Sequence, residues 1–185
     1  MSIACVLLPR FELVAAVGEL QALLSEPVAI APAPGARQVI GAVSAAGEAF
    51  ALSPGMALGE AFARCPGLKL VAADPQGARI AWDQVVVGLE AIGAEVESDK
   101  LGQAYFEVDG LKRLHGGGVE AVLLAARKAV GRPARIGVAD TRFCALLAAA
   151  SARPRKARLI AGGDERRQFM AALPVDQLCM HSQGG

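Results

Sequence analysis

Residues Val96–Gly110 read VESDKLGQAYFEVDG, and the fold turns on how this stretch is taken. Two short runs, Glu95–Ser98 and Ala104–Val108, flank the polar segment Asp99–Gly102. Alternation along the second run is the mark of a half-buried strand, so the stretch predicts a β-hairpin. Upstream, Asp74–Pro75 opens a helix, with Asp74 as N-cap and proline at the first helical position. Trp82, Val85, Val86, Leu89 and Ile92 mark its apolar face, and Gly93 sits where a C-capping glycine belongs.

Downstream, Val119, Val122, Leu123, Ala126 and Val130 define a second helix, Arg135–Ala139 a further strand, and Thr141 the cap of a helix reaching about Ala152. Ile3–Leu8 is an apolar run suited to a strand buried on both faces. The order is therefore βαββαβ, the split βαβ or ferredoxin-like pattern, in an α+β chain.

Residues 11–73 read as an insertion. Phe11, Val14, Val17, Leu20 and Leu24 carry helical spacing, and Glu26–Gly35, with three prolines, reads as an extended edge or loop. Val39–Val43 is a strand candidate, Met56–Cys65 a short helix ended by Pro66, and Lys69–Ala72 a short strand. After the third helix, the basic link Arg153–Arg158 leads to a last short helix near Glu165–Ala172.

The 185 residues allow one domain, or two small ones packed together, and 54% hydrophobic residues allow a substantial core. Apolar runs break before the roughly 20 residues that a membrane span needs. MSIACVLLPRFEL has no positive n-region, so a soluble cytoplasmic protein with no membrane partner is expected. Cys5, Cys65, Cys144 and Cys179 are far apart, and only His115 and His181 add imidazole, which disfavours a zinc site. With 19 Lys+Arg against 18 Asp+Glu, any nucleic-acid function must rest on a local basic patch.

Four segments, in order, resemble the Y-family (translesion) DNA polymerases. VESDKLGQAYFEVDG lies without a gap along that family's palm hairpin, V-E-x-Y-S-I-D-E-A-F-L-D-V-T-G. Ser53–Asp74, SPGMALGEAFARCPGLKLVAAD, is similar to its fingers motif R-S-G-M-x-x-x-E-A-x-x-x-C-P. Ile136–Pro154, IGVADTRFCALLAAASARP, is similar to G-I-x-x-N-K-x-x-A-K-x-A-S-x-x-x-K-P, and LPVDQL, Leu173–Leu178, resembles the lead-in to the thumb. The resemblance implies a palm at 1–10 and 74–153, fingers at 11–73, and the start of a helical thumb at 154–185.

Nucleotidyl transfer by such polymerases uses two divalent ions, and hard Mg²⁺ wants carboxylate oxygens. At the positions the family fills with metal-binding carboxylates stand Leu7, Gly102 and Gln103. Ala45 and Glu48 take the places of the family's Tyr and Arg beside the triphosphate, while Arg142 stands where its triphosphate-contacting Lys would be. Glu97, Asp99, Glu107 and Asp109 flank the place and read as solvated or hairpin-stabilising carboxylates. On this pattern the chain is expected to be no enzyme and to take no cofactor, Mg²⁺ included. It is most similar to the ImuB type, a mutagenesis accessory protein. The resemblance implies a DNA-binding adaptor in damage tolerance, with an active translesion polymerase and the sliding clamp as partners. A divergent polymerase using Glu97, Glu107 or Asp109, and a scaffold that no longer binds DNA, are the alternatives.

The candidates for phosphate contact are Arg142 and the run Arg153, Arg155, Lys156 and Arg158. Lys112, Arg113 and His115 beside Gly116–Gly118 lack the strand, loop and G-K-[ST] of a phosphate-binding loop. Ser44 and Ser151 have no nucleophile context.

Overall fold

The computed structural model describes residues 1–153, 156–160 and 162–172. They fall into two compact units, Met1–Pro9 with Gln84–Gly185, and Arg10–Asp83.

In the first unit, β1 (Ile3–Leu7) lies at the centre of a five-stranded sheet. It pairs antiparallel with β5 (Gln103–Glu107) on one side and with β6 (Arg135–Ala139) on the other. Outside β5 runs β4 (Glu97–Lys100), and outside β6 runs β7 (Ala157–Leu159), parallel to it. The order β4-β5-β1-β6 is that of a βαββαβ fold, with β7 added at one edge. The hairpin is therefore off-centre, with β4 as an edge strand.

Alternation sorts the sheet into two faces. Cys5, Tyr105 and Ala139 meet the buried side of α6 (Arg142–Ser151) together with Ile160 and Phe169, the latter on α7 (Gly162–Ala171). Gly137 lets α6 come that close. A Cβ there would stand 2.1 Å from the Ala145 carbonyl oxygen and 2.2 Å from the Ala149 nitrogen. Ala4, Val6 and Ile136 point the other way and are fully buried. The apolar stripe of α5 (Val119–Val130), and Val85 and Leu89 of α4 (Pro75–Ala91), are the buried helical surfaces left to cover that face. Helix α4 begins as the sequence directs, with Gly77 donating its N–H to Asp74 Oδ1 at 2.8 Å.

The second unit pairs β2 (Val28–Ile30) with β3 (Lys69–Val71) in parallel, and carries α1 (Phe11–Val17), α2 (Ala45–Glu48) and α3 (Leu58–Arg64). Phe11 meets the Trp82 ring edge-on at 5.2 Å. Ser44, 1% exposed, accepts from the Val28 and Gly47 N–H groups and donates to the Glu26 carbonyl.

Several expectations change. The first helix stops at Val17 because Gly18 turns the chain at φ 56°. Val28–Ile30 forms a strand although prolines flank it, and Val39–Val43 makes only the isolated bridges Val39–Ala57 and Ala29–Val43. The basic link hides β7. Leu173–Leu178 lies outside the described residues. Among the described residues no helix is long and apolar enough to cross a membrane.

Candidate nucleic-acid interface

The C-terminal end of β1 and the tip of the β4–β5 hairpin bring the three expected metal positions together. Leu7 is the register partner of Gln103, and the Leu8 N–H donates to the Gly102 carbonyl at 2.8 Å. Gly102 makes the turn at φ 82°, a backbone conformation that side chains resist. Gln103 donates through its Nε2 to the Tyr105 hydroxyl oxygen. Tyr105 lies two register positions along, on the same face of the sheet, beside Cys5. Burial pushes the Cys5 thiol up to about 12 despite its hydrogen bond with Tyr105. Burial, then the neighbouring Cys5, also raises Tyr105 above the usual phenol range. The side chains of Leu7, Gln103, Tyr105 and Cys5 are therefore uncharged at ordinary pH.

The flanking acids are engaged elsewhere or apart. Glu97 is ion-paired with Arg142, whose guanidinium carbon lies 5.5 Å from the Tyr105 ring centroid. Asp109 accepts from the Ser2 N–H at 2.8 Å and from Lys112 Nζ at 2.6 Å. The Lys112 bond is the largest cause that lowers its carboxyl to about 2. Glu107 pairs in register with Ile3, at the far end of β1 from Leu7, and lines a cleft with Glu95 and Arg113. Among the described residues no group of three or more His, Cys, Asp or Glu is placed to hold a metal ion. The residues at the Leu7–Gln103 corner do not fit a pair of divalent ions. In the second unit, Ala45 and Glu48 lie on α2, and Glu48 accepts from Arg10, Nε to Oε1 at 3.2 Å. Arg10 itself sits at φ 55°.

The cations divide into two sets. Arg142 opens α6 beside the β4–β5 hairpin, and Arg158 lies against the Phe169 ring at 4.5 Å with a bond to Ser151 Oγ at 3.2 Å. Arg153 and Lys156 are exposed at the other end of α6, and the Lys156 carbonyl accepts from the Ile136 N–H. Arg155 lies outside the described residues. Register adds cations that the sequence did not single out. Arg135 is the partner of Leu7, Lys100 the partner of Gln103, and exposed Arg132 lies three residues before the start of β6. One end of the sheet thus gathers Lys100, Arg132, Arg135, Arg153 and Lys156 around the Leu7–Gln103 corner. The signal was present only as charges at strand ends, separated by up to 56 positions between Lys100 and Lys156. It becomes legible once the strand order is known.

Against known proteins, a model of the impB/mucB/samB family matches residues 9–150. No curated protein sequence matches significantly. Among solved structures, an insertion ternary complex of Dbh DNA polymerase aligns with a TM-score of 0.78 at 16% identity, over 96% of this chain and 53% of that one. A Y-family DNA polymerase chimera of Dbh and Dpo4 gives 0.73 at 16% identity, over 86% and 48%. DinB from Sulfolobus solfataricus gives 0.67 at 18% identity, again over 86% and 48%. The chain spans about half the length of these structures.

Two expectations are corrected by these matches. The inference that the chain is no enzyme, and that it takes no metal cofactor, rested on Leu7, Gly102 and Gln103. The family match covers most of the chain, and its structural neighbours include DNA polymerases, enzymes that transfer nucleotides with divalent ions. Three neutral positions in a half-length chain do not outweigh that. The missing ligand group describes this corner and not the activity of the protein.

Proposed function

The chain belongs to the impB/mucB/samB family, and on that premise we propose that it is the palm-and-fingers region of a Y-family translesion protein that engages primer–template DNA in damage tolerance. The observation that carries this reading is the cluster Lys100, Arg132, Arg135, Arg153 and Lys156 around the C-terminal end of β1. Phosphates are the chemistry such a cluster recognises, because each cation that neutralises one releases condensed counterions. The exposed cations hold no base-reading geometry and there is no aromatic platform among them, so binding is independent of sequence.

In this reading residues 1–10 and 74–153 are the palm, 11–73 the fingers, and the segment from 154 leads toward the thumb. Neutral residues at Leu7, Gly102 and Gln103 favour the ImuB type within the family. An active translesion polymerase and the sliding clamp are then its partners, and the cytoplasm its compartment. Fluorescence anisotropy with a labelled primer–template tests the DNA reading. Binding with a Kd on the order of 10⁻⁴–10⁻⁶ M that weakens steeply with salt is expected. No binding at 50 mM salt, roughly where such contacts are strong, contradicts it.

A further inference from the structure

At the C-terminal end of α5 the chain forms a pocket of about 310 Å³ lined by Arg127, Gly131, Arg132, Pro133 and Ala134. Both charged residues in this lining are arginines. Residues 121–139 carry Arg127, Lys128, Arg132 and Arg135 and neither Asp nor Glu. Arg127 Nε is a buried side-chain nitrogen with no hydrogen-bond partner among the described residues. Buried polar groups are nearly always satisfied, and a charged donor left alone calls for an explanation.

Cations in the last turn of a helix complement its carbonyl end, which accounts for Lys128 and for the charge of Arg127. It does not account for an unpaired Nε–H, nor for Arg132, which lies beyond the helix. Gly131, at φ 62°, donates its N–H to the Arg127 carbonyl and turns the chain sharply. Pro133 has no N–H to offer, so Arg127 and Arg132 are the charged donors in the pocket lining. A guanidinium pair of this kind matches a tetrahedral oxyanion.

We propose that Arg127 and Arg132 form a phosphate pocket that holds a backbone phosphodiester of bound DNA. The inference rests on the DNA-binding reading and extends it. The turn leads within two residues to Arg135, whose strand begins beside Leu7, so a strand of DNA on the basic end of the sheet passes the pocket mouth.

The test compares the wild-type chain with R132A, R127K and K128A, using a labelled primer–template in a salt series and inorganic phosphate as a free-anion probe. Arg132 is exposed, so R132A leaves the fold intact. Arg127→Lys keeps the charge but removes the Nε–H. R132A is expected to weaken DNA binding severalfold and lower the salt slope by about 0.9. R127K should weaken binding at nearly unchanged slope, and K128A, outside the pocket, should do less than R132A. The Arg127 Nε–H NMR signal should shift on adding DNA. Wild-type binding left unchanged by R132A and R127K overturns the pocket and spares the DNA reading. Equal losses in K128A and R132A reduce it to a diffuse field and also overturn it. A signal that moves with inorganic phosphate but not with DNA assigns the pocket to a free anion. Failure of the wild-type chain to bind DNA removes both claims.

Discussion

The Arg142 guanidinium carbon stands 5.5 Å from the centroid of the Tyr105 ring. The ring faces the cation from the sheet while Glu97 pairs with it from β4. Side-chain exposures of 41% and 62% make this a surface ion pair, worth about 1 kcal/mol at most. Glu97→Gln is therefore expected to change stability by less than about 1 kcal/mol. It should also strengthen DNA binding, since it removes an anion and frees Arg142. Urea denaturation and anisotropy read the two effects, and unchanged or weaker DNA binding would place Arg142 outside the interface.

Cys5 supplies a pH dependence with a definite sign. Burial holds its thiol up to about 12, against 9.0 for an ordinary thiol. Between those values the unfolded chain has lost the proton and the folded chain keeps it. Stability is complete below about 9 and falls as pH rises, by up to about 1.4 kcal/mol per unit for this group. Tyr105 is raised as well and acts in the same direction at higher pH. Denaturant midpoints from pH 8 to 10.5 should decline in the wild-type chain and less steeply in Cys5→Ala. Equal slopes would show that Cys5 ionises freely in the fold.

Gly137 is expected to tolerate no side chain. The Cβ of Gly137→Ala would meet backbone atoms of Ala145 and Ala149 at 2.1 and 2.2 Å, and backbone cannot swing aside as a side chain does. A loss of about 3 kcal/mol is expected, or roughly 6–12 °C in Tm for a chain of this size. A loss under about 1 kcal/mol would mean that α6 does not lie directly on β6.

Ser44→Ala tests the second unit. It leaves the Val28 and Gly47 N–H groups and the Glu26 carbonyl without their shared hydroxyl in a buried site. About 2–3 kcal/mol should be lost. Ser44→Thr should recover part of this if its methyl fits, and equal stability of all three chains would refute the hydroxyl's role.

Where sequence spoke through local chemistry, it was legible. Periodicity bounded α5 at Val119–Val130, Thr141 caps α6 by accepting from the Cys144 N–H, and Asp74–Pro75 starts α4. Where pairing came from distant residues, it was not. Ala157–Leu159 is a strand only because β6 offers it an edge, and its Arg158 and the nearby Pro154 argued for a loop. Val39–Val43 has strand-like residues, but Gly41 packs its backbone on Ile30 and the pairing stays at single bridges. In the site, the adjacency of Leu7 and Gly102 followed from the motif frame. The Glu97–Arg142 pair, and the arrival of Lys100, Arg132 and Arg135 at one sheet end, depend on strand order. Inferring inactivity from three missing carboxylates was a further step that the family match overturned.

The claim that the basic end of the sheet grips DNA phosphates is tested most directly by one salt titration. Primer–template affinity is measured from 50 to 200 mM salt, roughly the range over which phosphate contacts fade, for the wild-type chain and for Arg153→Gln/Lys156→Gln. Both residues are exposed, so their loss should not disturb the fold. The double variant should bind every duplex sequence more weakly, with a slope of log affinity against log salt shallower by about 1.8, or about 0.9 per lost contact. An affinity and slope that match the wild-type values would contradict the interface.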